Sequence, residues 1–162
     1  MMSKIKQLLM EKDNVIVMDV DGVLALQEWG EYNHFDLSDE EWSVMANEQE
    51  HFYGEELVSK KMQAYLADKD PDLLFVISKA YTKNEDESKV YYCSTYYPIP
   101  RDHIFFVRSD KEKVEVFKKI IAMFPNVPNH KKIMIEDTVS ILNDIKEQTG
   151  CATVHISSFL DL

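Results

Sequence analysis

Five short apolar runs alternate with helically spaced segments, and this alternation restricts the available folds more than any other feature. The runs lie at residues 15–18 (VIVM), 73–77 (LLFVI), 104–107 (IFFV), 133–135 (IMI) and 152–156 (ATVHI). Each is too short for a buried helix, and the first is rich in β-branched residues. Near-continuous apolarity suits strands covered on both faces, the usual state of a parallel sheet. Between the runs, three groups recur at the spacing of one helix face: Val58, Met62, Tyr65 and Leu66; Phe117, Ile120, Ile121 and Phe124; Ile141, Leu142 and Ile145. Ile5, Leu8 and Leu9 predict a further short helix, stopped by Asp13 and Asn14. Strands alternating with helices imply right-handed crossovers. The expected class is therefore α/β, a Rossmann-like three-layer fold with a central parallel sheet of about five strands.

A chain of 162 residues that is 45% hydrophobic predicts a single domain over 1–162. The connection from about residue 26 to 57 is longer than an ordinary βα loop and predicts a small cap or flap. Within it, Ser38 and Glu41 have the spacing of a capping box, so a helix is expected to start there, carrying Trp42, Met45 and Phe52 toward Gly54. The aromatic group Trp29, Tyr32, His34 and Phe35 is expected to pack the flap onto the core, with a leaving-group pocket as the alternative. The run from Tyr91 to Pro98 reads as a packed helix face, because no basic residues accompany its rings.

A net charge of -11 argues against nucleic acid as a partner. Cys93 and Cys151 form no CxxC pair, so neither a disulfide framework nor a zinc site is expected. With no signal-like or membrane-spanning run, the expected setting is the cytoplasm, away from membranes. His51, His103, His130 and His155 share no metal-ligand spacing and read as structural or surface residues.

Four of the runs lead into polar residues: Asp19 and Asp21 after the first, Ser78 after the second, Lys111 and Lys113 shortly after the third, Glu136 and Asp137 after the fourth. In open α/β sheets ligands bind outside the carboxyl ends of the strands, so these groups are expected to converge. Clustered carboxylates repel unless a cation sits among them, and an oxygen-only ligand set favours Mg²⁺. With a hydroxyl and a lysine nearby, the set describes a site for a phosphoryl group. The bland alternatives are a solvated Asp-Gly turn, a serine or Asp110 capping a helix, and lysines on a solvated helix start.

In this order the residues resemble the haloacid dehalogenase-like (HAD) superfamily across roughly 14–157. Its first motif matches Asp19-Val20-Asp21-Gly22-Val23, its second the serine of LLFVIS, its third a lysine at a helix start, and its fourth the acidic pair of IMIED. The resemblance implies a Mg²⁺-dependent phosphohydrolase of the small-cap phosphatase type. It would cleave a phosphate monoester through an aspartyl-phosphate on Asp19, with Asp21 as general acid and base. Gly22 would permit the turn between them. Ser78 and Lys113, or Lys111 in its place, would hold the phosphate. Asp19, Asp137 and the backbone carbonyl of Asp21 would hold Mg²⁺, and Glu136 would orient a metal-bound water.

A phosphorylated small molecule is the expected substrate; in resembling families a small cap leaves the cleft open, which suits either a large phosphorylated partner or a small substrate enclosed by a second subunit of a homo-oligomer. The fourth motif, EDTVSILND, lacks the glycine-rich stretch or later aspartate of many relatives, which loosens the subfamily assignment. Two alternatives stay open: a nucleotide or polynucleotide-end phosphatase, since DVDGVLA looks like the opening of deoxyribonucleotidases, and a binding or regulatory protein without turnover.

Overall fold

The computed structural model describes residues 3–26, 38–48 and 52–160. Trp29, Tyr32, His34, Phe35 and His51, and with them the packing expected of the aromatic group, lie outside the described residues. Five strands form one sheet: β1 (Val15–Met18), β2 (Leu74–Lys79), β3 (Ile104–Val107), β4 (Lys132–Glu136) and β5 (Ala152–His155). Their spatial order is β3-β2-β1-β4-β5, and every neighbouring pair is parallel. The described helices are α1 (Lys4–Met10), α2 (Asp39–Glu48), α3 (Lys60–Leu66), α4 (Lys83–Tyr96), α5 (Asp110–Ala122) and α6 (Val139–Thr149).

Successive strand residues point to opposite faces, so an unbroken apolar run feeds two cores at once. On one face Ile16, Met18, Val76 and Ile135 belong to a core with Met62 and Leu66 of α3 and Tyr92 and Cys93 of α4. On the other, Val15, Val17, Ile77 and Met134 join Val114, Phe117 and Ile120 of α5 and Ile141, Leu142 and Ile145 of α6. The result is the three-layer, Rossmann-like α/β arrangement expected from the alternation of runs. No helix among the described residues is long and apolar enough to cross a membrane.

Strand limits depart slightly from the apolar runs, because ladder bonding rather than hydropathy sets them. Leu73 lies in a 3-10 turn, Pro71–Leu73, capped by Asp70, and Ile156 opens another, Ile156–Phe159. β2 and β4 instead run on into polar residues, to Lys79 and Glu136. Val58 also leaves its expected helix: it bridges Ala25 in antiparallel fashion, while the Leu26 N–H donates to the Leu57 carbonyl at 2.8 Å. These bonds join the two ends of the long connection into a neck. The Leu24 carbonyl anchors the neck by accepting the Tyr92 and Tyr97 hydroxyls, at 3.1 and 2.5 Å.

The capping box at the start of α2 is present in full. The Glu41 N–H donates to Ser38 Oγ at 3.3 Å, and the Ser38 N–H donates to Glu41 Oε2 at 2.8 Å. The Ser38 N–H, and after it the Ser38 hydroxyl, which also donates to Glu41 Oε2 at 2.8 Å, hold the exposed Glu41 carboxyl below its ordinary pKa. Phe52 lies outside α2 but packs edge-on against Trp42, ring centroids 4.9 Å apart. Cys93 and Cys151 are free and buried, and burial pushes the Cys93 thiol well up, away from reactivity.

The chain runs from β1 out through β2 to β3, then crosses back to β4 on the other side of β1. Connections therefore diverge between β1 and β4, and a crevice opens at their carboxyl ends. Register brings those ends level, since Met18 of β1 stands opposite both Val76 of β2 and Ile135 of β4. The next residues, Asp19 and Glu136, enter the crevice together.

Candidate functional site

Beyond β1 the chain folds into a tight turn. The N–H groups of Leu24 and Ala25 both donate to the Val20 carbonyl, at 2.9 and 2.8 Å, and the Gly22 N–H donates to the Ala25 carbonyl at 2.9 Å. Gly22 holds φ +77°, in the left-handed region that glycine enters freely. A Cβ at this position would also collide with the Asp137 carboxylate. Gly22→Ala is expected to lower stability by about 1–3 kcal/mol, read as a shifted denaturation midpoint, because strain and collision act together.

Asp19 is nearly buried, and its two oxygens are separately employed. Oδ1 accepts the Val20 N–H at 2.7 Å, and Oδ2 accepts the Lys113 ammonium at 2.8 Å. Lys113, on the first turn of α5, donates equally to Glu136 Oε2 at 2.8 Å and is only 3% exposed. Burial alone would lower its pKa, but Asp19 and Glu136 outweigh burial and raise it, so the ammonium stays charged. Glu136 is fully buried, and its other oxygen accepts the N–H groups of Asp137 and Thr138, at 3.1 and 3.3 Å. Burial, reinforced by the Asp19 charge, raises the Glu136 pKa against the pull of Lys113.

Asp137 completes the acidic group. Its carbonyl contacts His155 Nε2 at 2.9 Å, and its carboxylate faces Gly22. Asp19, Glu136 and Asp137 each offer a carboxylate oxygen, all within 4.8 Å of one another. Three carboxylates against one lysine leave an excess of negative charge, and every donor is hard oxygen. The missing Cβ of Gly22 keeps the approach to Asp137 clear. This donor set fits a divalent cation such as Mg²⁺. A cavity of about 230 Å³ opens over the group, its lining including Asp19, Asp21, Lys113 and Asp137 together with Lys79 and Tyr81.

Asp21 lines the same cavity but takes its partners from α4 and the long connection. Its Oδ1 accepts the Tyr53 hydroxyl at 2.8 Å and its Oδ2 the Lys89 ammonium at 2.8 Å. Burial and the Asp21 charge push the Tyr53 phenol far above its ordinary pKa, so it stays a donor. Lys89, fully buried on α4, also reaches Glu85 Oε1 at 2.9 Å, Ser78 Oγ at 3.1 Å and the Lys79 carbonyl at 2.6 Å. Glu85 in turn accepts Trp42 Nε1–H at 3.2 Å and the Tyr81 N–H at 2.8 Å.

Asp19, Asp21, Lys113, Glu136 and Asp137 thus meet at one sheet edge, with Gly22 beneath Asp137. Lys111 is exposed on the far side of α5, so of the two lysines only Lys113 enters the group. Ser78 is fully buried and lies behind Lys89 instead of on the cavity wall. Glu136 grips Lys113 and the following turn. Ser109, not Asp110, precedes α5 as its N-cap residue, and Thr82 rather than Ser78 caps α4. The buried set Lys89, Glu85 and Tyr53 was not anticipated; an i,i+4 Glu–Lys pair in a charged helix start is the only sequence hint of it.

Fold and site together define a Rossmann-like α/β protein with a lysine-braced acidic group at the switch point of its sheet. The chain matches no family model, and comparison with curated proteins gives no significant match.

Proposed function

We propose that this protein is a Mg²⁺-dependent phosphohydrolase of the HAD type, cleaving a phosphate monoester of a small molecule through an aspartyl-phosphate. One observation carries this reading: Asp19, Asp21, Lys113 and Asp137, drawn from three separate segments, line one cavity. Asp19 attacks phosphorus in line while the bond to the leaving oxygen breaks, and Asp21 gives that oxygen a proton. A water then attacks the phosphoryl group, Asp21 takes its proton, and the bond to Asp19 breaks to release inorganic phosphate. Lys113 steers the Asp19 carboxylate and offers positive charge to the phosphoryl oxygens. Asp19, Asp137 and the Asp21 carbonyl would hold Mg²⁺, which when bound screens the phosphate from the carboxylates.

Asp39 and Asp110 also line the cavity, and Lys79, 3.8 Å from Asp39, offsets only one of them; the remaining acidic excess disfavours a polyanionic leaving group, which supports a phosphorylated small molecule over a nucleic-acid end. Chelation gives the direct test. After treatment with EDTA the protein is expected to leave 4-nitrophenyl phosphate intact, and added Mg²⁺ restores the rate. Hydrolysis that proceeds unchanged in EDTA would count against the assignment.

A further inference from the structure

Lys89 has no part in the chemistry above, yet it is the most heavily engaged ionisable group among the described residues outside the metal-ready cluster. Its ammonium carries three N–H donors and faces four acceptors: Lys79 O at 2.6 Å, Asp21 Oδ2 at 2.8 Å, Glu85 Oε1 at 2.9 Å and Ser78 Oγ at 3.1 Å. Lys89 and Glu85 are both 0% exposed, whereas the Asp21 side chain is 20% exposed. Glu85 is therefore the permanent counter-ion of Lys89, and Asp21 is the acceptor that faces the cavity. Because acceptors outnumber donors, the ammonium can release Asp21 without leaving a buried N–H unpaired, which would otherwise be expensive.

The second bond to Asp21 comes from the Tyr53 hydroxyl, whose ring lies 5.4 Å from the Lys89 ammonium and packs beside Tyr92. Tyr53 belongs to the long connection between β1 and α3. Trp42 of α2, in the same connection, donates to Glu85 at 3.2 Å. The connection thus touches Asp21 directly through Tyr53 and indirectly through Trp42, Glu85 and Lys89.

Resting on the phosphohydrolase reading, we propose that Lys89 is a positioning residue: with Tyr53 it sets the direction of the Asp21 carboxylate, and so links proton delivery to the leaving oxygen with the placement of the long connection. Lys89 does not line the cavity, so it acts through Asp21 and not on substrate. A proton donor matters most when the leaving oxygen is strongly basic. A 4-nitrophenolate departs with little help, whereas an unsubstituted phenolate needs more.

The test compares kcat/KM for 4-nitrophenyl phosphate and phenyl phosphate, with Mg²⁺, in the wild type, in Lys89→Met and in Tyr53→Phe. The ratio of the first substrate to the second is expected to rise about tenfold in Lys89→Met, the scale of a misplaced catalytic group. Tyr53→Phe keeps the ring and loses only the hydroxyl, so it remains informative if Lys89→Met does not fold; its ratio rises in the same direction by about threefold. A wild-type ratio retained in the folded variants, whether both substrates slow in parallel or neither slows, would overturn the proposal while leaving the phosphohydrolase reading intact. A wild type that turns over neither substrate would remove that reading, and this proposal with it.

Discussion

Asp19→Asn is expected to lower Mg²⁺-dependent hydrolysis of 4-nitrophenyl phosphate by about 10³-fold or more, while the protein keeps its fold. The amide is nearly the shape of the carboxylate, so its oxygen can still accept the Val20 N–H, a bond of 2.7 Å in the native protein. The amide NH2 then stands where Oδ2 met the Lys113 ammonium, a donor facing a donor that costs some stability, while the ammonium retains Glu136 at 2.8 Å as its carboxylate partner. What disappears is the anionic oxygen able to attack phosphorus and one oxygen donor for the cation. Rate and stability therefore separate. A variant that unfolds would be uninformative about the nucleophile, but the charge arrangement favours survival. Equal, slow hydrolysis by variant and wild type would remove the covalent mechanism.

How much of this was legible in the sequence depended on which physical signal each residue rests upon. Buried strands announce themselves through unbroken apolar runs, and the strand ends follow, which is why Asp19 and Glu136 were placed together from positions far apart in the chain. Helical period favoured Lys113, which shares the face of Phe117 and Ile120, but left Lys111 open; burial decides between them, since Lys113 is buried and Lys111, two residues off that face, is exposed. Ser78 was harder. Its place near the end of β2 is readable, but whether a hydroxyl there reaches the cavity depends on what packs over it, and Lys89 does.

Lys89 itself lies in KNEDESKVYYC, a charged stretch that reads as solvated; Glu85 and Lys89 share a helical face with Tyr92 and Cys93, but that spacing alone does not reveal that α4 turns two charges inward. Only the tertiary arrangement does. Burying the pair is tolerable because each partner is supplied with further polar contacts, and no local sequence signal encodes contacts that arrive from residues as distant as Asp21, Trp42 and Tyr53.

Lys113→Met carries the largest expected effect on stability. The thioether side chain fills similar space, but Asp19 Oδ2 and Glu136 Oε2, each 2.8 Å from the ammonium, would then face each other across a buried site with no cation between them. Removing one partner from a buried ion pair typically costs about 3–5 kcal/mol, or about 6–20 °C in Tm for a chain of this size. Two conditions should relieve the loss, and both follow from charge. Mg²⁺ replaces the missing positive charge, so it is expected to raise the Tm of the variant by more than that of the wild type. Lower pH also helps: Glu136 already has a raised pKa from burial and from Asp19, and without Lys113 the upward pull is stronger. A carboxyl whose folded pKa exceeds its unfolded value binds its proton more tightly in the folded state, so stability is greatest below the unfolded pKa and falls as pH rises from there toward the folded one. Native Glu136 is itself pushed up to about 9, so the deficit of Lys113→Met relative to wild type should stay level below that pH and widen as pH rises above it, where only the native protein lets Glu136 ionise beside a cation. Thermal denaturation on both sides of that pH, with and without Mg²⁺, measures both effects. A deficit indifferent to pH and to Mg²⁺ would mean that lost packing, rather than stranded charge, accounts for it.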